Sequence, residues 1–285
     1  MMQSILAGLS SEQIVYQPYP YVYVPEALDA AYYAELANAY PGMERIAGKG
    51  PWANNSAYLL GTRRVLADPA LPAVWRDFFA YHCSAEFLQA MLVFWRDAIA
   101  REYPAIEAWF GKPLSQLTTA VRHRSKEKIP ENLSADVMLD CQFGINSPVN
   151  APTSVRGPHV DKPYKLFAAL LYFRHPDDKS TGGDLILYRF RTHRYHFDGR
   201  LNLAERFVEP FAKIPYRPNT LVMWLNTSRS LHGISPRSTT PLPRRYVNFL
   251  AESYALQTDG FFPIKRQLTG RSFDAAKRFV GFRDV

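Results

Sequence analysis

The chain has 285 residues and a formal net charge of +8, with 47% hydrophobic and 21% charged residues. This length and balance are typical of a folded globular protein with a sizeable core, and they exclude a disordered or low-complexity chain. Two cysteines, Cys83 and Cys141, are too few for a disulfide framework and do not form the Cys-x-x-Cys spacing of a zinc site. The basic residues are scattered along the chain, so nucleic-acid binding is not favoured.

Targeting and membrane segments are not expected either. The N-terminal stretch lacks an early positive charge and a long apolar run, so no signal peptide is predicted. No run of about 18 apolar residues occurs, so no membrane span is predicted. Together with the free thiols, these features predict a cytoplasmic protein whose partner is a small-molecule substrate rather than a membrane or nucleic acid. The oligomeric state does not follow from the sequence.

The first part of the chain, about residues 1–115, has a mainly helical pattern. Residues 19–24 predict a short strand, and residues 27–40 predict an amphipathic helix that stops at a Pro-Gly pair. Residues 43–68 are rich in Gly and Asn and predict a loop. Residues 72–103 predict two long helices, with a serine near the middle that can cap the second.

The next part, about residues 116–255, is rich in strands. Residues 117–123 and 136–145 predict a hairpin with a long loop. The later apolar runs are KLFAALLYF, DLILYRF, TLVMWLN and RRYVNFL. Strands at this spacing predict a sandwich or barrel, so we expect a mostly β fold with flanking helices: a jelly-roll or cupin-like core braced by the N-terminal helices. Residues 1–285 are expected to form a single domain, with an amphipathic helix in the C-terminal extension, 256–285.

One histidine and one aspartate lie two residues apart just before the strand KLFAALLYF. Residues i and i+2 of an extended segment project to the same side, so His159 and Asp161 can bind one ion together. A third ligand must come from a neighbouring strand, and the candidate is His232, which follows the apolar strand TLVMWLN and opens the polar segment HGISP. Two imidazoles and one carboxylate leave three octahedral positions open, which suits non-haem Fe(II), although the ligands alone do not exclude zinc.

The order of these parts resembles the 2-oxoglutarate- and Fe(II)-dependent oxygenases, in their prolyl-hydroxylase-like branch. The resemblance rests on His159-Val160-Asp161 followed by LFAALLYF, GGDLILY, NTLVMWLN and LHGISP…RRYVNFL, roughly a third of the 285 residues. It implies a double-stranded β-helix, iron bound by His159, Asp161 and His232, and 2-oxoglutarate and O₂ as cosubstrates.

The resemblance also implies a binding site for 2-oxoglutarate. The family has a basic residue, on the strand after the second histidine, that pairs with the far carboxylate. Arg244 and Arg245 begin that strand, and because neighbouring strand residues face opposite sides, only one can point inward. We favour Arg245, which precedes the run YVNF, with Arg244 as the alternative. Tyr172 matches a tyrosine that ends the strand after His-x-Asp, and Gln142 stands where the family often has Tyr or Asn.

Positive charge surrounds the predicted iron site. Arg156 and Lys162 flank the His-x-Asp pair, and Arg229 and Arg237 flank His232. These charges predict an anionic substrate, or serve only to attract 2-oxoglutarate. The implied function is hydroxylation of a small, anionic or carbohydrate-like molecule with release of succinate and CO₂. The alternatives are a protein or peptide hydroxylase of the same family, a non-oxidative metal-binding cupin-like enzyme, and a non-catalytic glycan-binding module.

Overall fold

The computed structural model describes residues 2–123, 135–193, 195–199, 202–254, 256 and 260–264. The helix predicted for the C-terminal extension lies outside the described residues. The helices are α1 Ala30–Asn38, α2 Met43–Ala47, α3 Thr62–Leu66, α4 Ala73–His82, α5 Ala85–Phe94, α6 Arg96–Glu102 and α7 Ile106–Phe110. The strands are β1 Tyr21–Val24, β2 Ala57–Gly61, β3 Thr119–Val121, β4 Val137–Asn146, β5 Lys165–Tyr172, β6 Leu185–Phe190, β7 Val208–Ile214, β8 Thr220–Leu225, β9 His232–Ile234 and β10 Arg244–Glu252.

Capping side chains set the ends of the longer helices. Asp29 accepts hydrogen bonds from two backbone N–H groups at the start of α1. Ser84 accepts from the Phe87 N–H at the start of α5, which confirms the predicted division of the helical stretch. The chain turns once more at Trp95, so this stretch holds three helices rather than the predicted two.

The loop predicted for residues 43–68 is wrong. This stretch contains α2, β2 and α3, each only five residues long. β2 forms because it pairs antiparallel with β4, far along the chain. Local composition carries no signal of such a long-range pairing, so the glycines and asparagines of this stretch were misleading.

The strands form two sheets. The main sheet has the order β1-β8-β5-β10-β4-β2 with β3 beside β4, and the second sheet has the order β7-β6-β9. The β3–β4 pair is parallel, so the predicted hairpin is wrong: parallel neighbours need a crossover connection instead of a turn. The two sheets with flanking helices confirm the mostly β prediction and the layout of a double-stranded β-helix, although the described strands do not close into a barrel.

Strand alternation gives the main sheet two different faces. Val247 and Phe249 of β10 pack in the core formed with the helices. Tyr246 and Leu250 of the same strand belong to a separate cluster with residues of β6 and β7. We call the space lined by this second cluster the inter-sheet space. None of the helices in the described ranges combines the length and apolar character needed to cross a membrane.

Candidate metal centre

His159 and His232 are brought together by the backbone. The N–H of each residue donates to the carbonyl oxygen of the other, at 2.9 Å in both directions. This antiparallel bridge leaves the two ring centroids 4.2 Å apart. Asp161 follows two residues after His159, and one ligand atom from each of the three lies within 4.8 Å of the others, with all three residues buried. The structure therefore brings together the three residues that the sequence singles out, which we call the triad.

Hydrogen bonds orient both imidazole rings. The Nδ1 atom of His159 lies 2.9 Å from the Gly157 carbonyl oxygen, and that of His232 lies 2.9 Å from the Ser230 carbonyl oxygen. A carbonyl oxygen can only accept, so each Nδ1 carries the proton and each Nε2 keeps its lone pair for a metal. The His232 ring also packs against Trp224, 4.6 Å between centroids, at the edge of the inter-sheet space.

The electrostatics of the triad favour the forms that bind metals. Burial lowers the pKa of His159 well below its usual value and also lowers the pKa of His232. Burial alone would raise the pKa of Asp161. The nearby positive charges, first that of Lys165 with Nζ 3.2 Å from Oδ1, together outweigh burial, and the pKa falls below the usual range. Two neutral imidazoles and one carboxylate are thus present near neutral pH, a donor set that fits Fe(II).

A buried guanidinium also lies in the inter-sheet space. Arg244 is 2% exposed, its Nε donates to the Gly183 carbonyl oxygen at 2.7 Å, and its Cζ lies 4.7 Å from the Tyr172 ring centroid. The Tyr216 ring is 4.9 Å away. Two neighbouring donors, Nη2 of Arg244 and the Tyr172 hydroxyl, are buried without a hydrogen-bond partner among the described residues.

Those two donors match a carboxylate. Burial raises the pKa of Tyr172 to about 12, although the Arg244 charge lowers it, so the hydroxyl keeps its proton. A buried cation and a neutral hydroxyl that lack acceptors are complementary to an anionic group with several lone pairs. The far carboxylate of a diacid such as 2-oxoglutarate has this chemistry.

The Gly182-Gly183 pair allows the chain to pass close to this arginine. Both glycines have positive φ angles, 77° and 72°. A Cβ atom at Gly182 would overlap the Pro236 carbonyl oxygen, and one at Gly183 would lie 3.4 Å from Cδ of Arg244. The positive φ angles at both positions and the close approach at Gly182 favour glycine, which gives the sequence element GGDLILY a structural reason.

Arg245 points to the other face of the main sheet. Its Nε donates to the Phe173 carbonyl oxygen at 2.9 Å, and its guanidinium lies 5.1 Å from the Tyr40 ring centroid. The structure therefore places Arg244, the alternative, where we expected Arg245. The reason is the phase of the strand, since Arg245 shares its face with Val247 and Phe249 of the helix-side core.

Gln142 lies on the inter-sheet face of β4, at the level of Asn248 rather than of Arg244. Its side-chain amide donates to Asp140 at 2.8 Å and its oxygen accepts from Asn248 at 2.9 Å. Both ends of the amide are thus used within the protein, and Gln142 is not brought to the triad. Lys165 was missed by the sequence reasoning, although a lysine that opens an apolar strand four residues after a candidate ligand was a usable signal.

Comparisons with known proteins give fold neighbours only. No protein-family model matches the chain, and no curated protein matches it. Among solved structures, it is similar to a prolyl-4-hydroxylase of Pseudomonas putida, with 15% identity, 82% of this chain and 92% of that chain covered, and a TM-score of 0.38. The carbocyclase SnoK of nogalamycin biosynthesis, described as non-haem and α-ketoglutarate-dependent, shares 13% identity over 88% and 86% of the chains, with a TM-score of 0.48.

A third neighbour is described as a putative 2-oxoglutarate-Fe(II) oxygenase family protein of Caulobacter crescentus. It shares 16% identity over 82% of this chain and 77% of its own, with a TM-score of 0.41. These neighbours include 2-oxoglutarate- and Fe(II)-dependent oxygenases, the family that the sequence resembles. At such identities and TM-scores the likeness is loose, so the function has to be inferred from the residues of this chain.

Proposed function

We propose that the chain is a non-haem Fe(II)- and 2-oxoglutarate-dependent oxygenase that hydroxylates a small molecule and releases succinate and CO₂. One observation carries this proposal: a buried triad of two neutral imidazoles and a carboxylate, and a buried guanidinium whose Nη2 lacks a partner among the described residues, border the same inter-sheet space. The triad leaves metal positions open for a cosubstrate, and Arg244 offers the charge that a diacid needs at its far end.

Each side chain has a defined task in this proposal. The Nε2 atoms of His159 and His232 and the carboxylate of Asp161 would hold the iron, which supplies the oxidative chemistry when it is bound. The backbone carbonyl groups that accept from Nδ1 fix the ring orientation. Lys165 keeps the Asp161 carboxylate ionised by its charge. These groups hold the protons and charges in place, so that little reorganisation is needed on metal binding.

The cosubstrate would be held by the groups that lack partners. We assign the far carboxylate of 2-oxoglutarate to Arg244 Nη2 and the Tyr172 hydroxyl, since a bound carboxylate would satisfy both buried donors. The rings of Tyr172 and Tyr216 meet edge to face, with centroids 5.3 Å apart, and support the guanidinium between them. Arg245 has no part in this assignment.

The other functions make different use of these residues. A zinc- or manganese-dependent cupin-like enzyme would use the triad but has no need of the unsatisfied pair Arg244 and Tyr172. A glycan-binding module needs neither the pair nor the oriented imidazoles. A peptide hydroxylase would use all of them, and it differs only in what triggers turnover.

An anaerobic titration tests the proposal. Metal-free protein is loaded with Fe(II) and then titrated with 2-oxoglutarate, while the visible charge-transfer band of an iron-bound 2-oxo acid is recorded. We expect the band in the wild type, no band with zinc in place of iron, and no band in the Asp161→Ala variant. Folded, iron-loaded wild-type protein that gives no band would contradict the proposal.

Turnover then separates the two oxygenase functions. Succinate release from 2-oxoglutarate in the presence of O₂ is measured with a panel of small metabolites and with a panel of peptides. We expect small metabolites to stimulate succinate release. Stimulation by peptides alone would replace the small-molecule substrate with a protein substrate and leave the oxygenase chemistry in place.

A further inference from the structure

Three of the four basic residues that flank the triad in sequence are already accounted for. Arg229 forms a two-pronged ion pair with Glu102, at 2.7 and 2.8 Å. Arg237 is buried and its Nη1 lacks a hydrogen-bond partner among the described residues, but its charge is balanced by Asp178, to which its Nη2 donates at 2.8 Å. Lys162 is exposed to solvent. Only Arg156 remains as a cation that has neither an acidic partner at ion-pair distance among the described residues nor full contact with water.

The backbone fixes Arg156 beside the triad. Its carbonyl oxygen accepts from the Ile234 N–H at 2.9 Å and from the Ser154 hydroxyl at 3.1 Å. Ile234 ends β9, the strand that begins with His232. The same antiparallel ladder that joins the two histidines therefore holds Arg156, and its position relative to the metal ligands is set by hydrogen bonds rather than by a free loop.

The Arg156 side chain is partly buried, and its charge affects the pKa values of several neighbouring groups. Burial is the main reason for the low pKa of His159 and of His232, and the charge of Arg156 lowers both further. Its charge also acts on Asp161 and on Tyr246 of β10. The triad residues and Tyr246 are thus within electrostatic reach of this guanidinium, and the backbone hydrogen bonds hold Arg156 beside the triad.

Within the described part of the chain, no carboxylate is committed to Arg156. The described carboxylate that acts on its charge is Asp161, which is already paired with Lys165 and is committed to the metal in the proposed function. A partly buried cation without an anion carries a desolvation cost that a bound anion would offset. Arg244 has the same property, but it lies with Tyr172 in the pocket assigned to the cosubstrate.

We propose that Arg156 recognises the substrate, and that this substrate carries an oxyanion, a carboxylate or a phosphate, that binds its guanidinium. The proposal rests on the oxygenase function and deepens it by assigning the two unbalanced guanidiniums to two different anions. Arg244 takes the cosubstrate and Arg156 takes the substrate. A guanidinium presents parallel N–H donors to either oxyanion, so both are named as one ligand chemistry.

The test uses simple anions near a paramagnetic metal. The protein is loaded with Mn(II) in place of Fe(II) and with N-oxalylglycine, an unreactive analogue that fills the place of 2-oxoglutarate. Inorganic phosphate is the probe, and the metal-induced increase in its phosphorus relaxation rate reports the fraction of anion bound and its distance from the metal. Acetate, followed by its methyl protons, shows whether a carboxylate binds as well or better.

We expect a clear relaxation enhancement in the wild type. Arg156→Gln should weaken the apparent affinity for the better anion by about tenfold or more, the effect of losing a charged hydrogen-bond donor. Arg156→Lys should retain part of it. The matched control is Arg229→Gln, which removes an arginine already paired with Glu102 and should bind as the wild type does. Equal enhancement in the wild type and Arg156→Gln, or none in the wild type, would overturn the proposal.

The anaerobic 2-oxoglutarate titration separates this proposal from the proposed function. If Arg156→Gln weakens the charge-transfer band by reducing affinity for 2-oxoglutarate, Arg156 belongs to the cosubstrate site, and the substrate assignment is wrong while the oxygenase function stands. If the wild type itself gives no band, the oxygenase function fails first. A normal band together with lost anion binding supports both proposals.

Discussion

The two faces of the main sheet divide stability and chemistry between them. On the helix side, aromatic rings form a continuous apolar core. The Trp75 ring centroid lies 4.6 Å from that of Phe143 and 5.2 Å from that of Phe173. On the inter-sheet side, the same strands carry Arg244 and Tyr172, with polar atoms that lack partners. Because side chains alternate along each strand, one face of the sheet forms a packed core, and the other face carries polar groups that a ligand could satisfy.

The difference has an energetic meaning. Burial of apolar rings on the helix side is favourable, although the indole N–H of Trp75 also lacks an acceptor among the described residues. A buried donor without an acceptor costs about 1–3 kcal/mol, so the inter-sheet face lowers stability until a ligand satisfies it. Substitutions on the two faces should therefore have separable effects, on unfolding for one and on binding for the other.

The largest expected effect is on the metal. Asp161→Asn keeps the size of the side chain but removes the charge that the metal needs. Loss of an outer-shell partner lowers metal affinity by up to about a hundredfold, and Asp161 is a proposed direct ligand, so its loss should cost more than that. Turnover should fall to background. Metal content after dialysis and succinate release measure this, with the exposed Asp177→Asn as control. Normal iron content in Asp161→Asn would contradict the triad.

The helix side should respond in stability alone. Phe143→Ala removes a ring packed against Trp75 and Phe79 and should lower the free energy of unfolding by about 3–5 kcal/mol. Urea unfolding of the metal-free protein measures it. At temperatures where the variant is folded, its titration with Fe(II) and 2-oxoglutarate should match the wild type. An altered affinity in the folded variant would mean that the two faces are not independent.

The neighbouring arginines give the sharpest comparison of the faces. Arg244→Leu should raise the KM for 2-oxoglutarate by about tenfold to a hundredfold, because a charged hydrogen-bond partner is lost. Arg245→Leu, on the helix side, should leave this KM unchanged. Steady-state kinetics at saturating O₂ measure both, and Arg244→Lys should recover part of the affinity. A larger rise in KM for Arg245→Leu than for Arg244→Leu would assign the cosubstrate carboxylate to Arg245.

A buried histidine on the helix side predicts a pH effect. The Nε2 of His82 accepts from the Ile5 N–H at 3.0 Å, and burial lowers the His82 pKa to about 3. The folded state protonates His82 less readily than the unfolded state does. The contribution of neutral His82 to the free energy of unfolding is therefore complete above about pH 6.5 and is lost as the pH falls towards the folded-state pKa.

His82 should lower the free energy of unfolding by up to about 1.4 kcal/mol for each pH unit below pH 6.5. Urea unfolding of the metal-free protein at several pH values measures it. The triad histidines contribute with the same sign, so the difference between the wild type and His82→Phe isolates this residue. Equal pH slopes in the two proteins would show that His82 is not held neutral.

The smallest effect is expected at the Tyr172 hydroxyl. Tyr172→Phe keeps the ring beneath Arg244 and removes only a neutral hydrogen bond to the cosubstrate, worth about 0.5–1.5 kcal/mol. The KM for 2-oxoglutarate should therefore rise about twofold to tenfold, less than in Arg244→Leu. An unchanged KM would remove Tyr172 from the cosubstrate site.

The sequence predicts what depends on local geometry. His159 and Asp161 share a side because residues i and i+2 of an extended segment always do, and His232 is recognisable by its place after an apolar strand. The structure brings these three together as predicted. The strands β5, β6, β8 and β10 and the Ser84 cap follow from similarly local patterns.

What the sequence could not predict depends on distant pairing. Whether Arg244 or Arg245 enters the inter-sheet space is decided by the phase of β10 between β4 and β5, which is a property of the sheet. The same holds for β2, which exists because β4 lies beside it, and for the parallel partner of β3. The balance of charges around Arg156 also depends on residues far apart in the chain.

A crystal structure of the protein with Mn(II) and 2-oxoglutarate, grown without O₂, would show the metal site and the cosubstrate site together. We expect one metal ion bound by Nε2 of His159, Nε2 of His232 and the carboxylate of Asp161, with the far carboxylate of 2-oxoglutarate on Arg244. A metal bound elsewhere, or a cosubstrate carboxylate that does not reach Arg244, would contradict it.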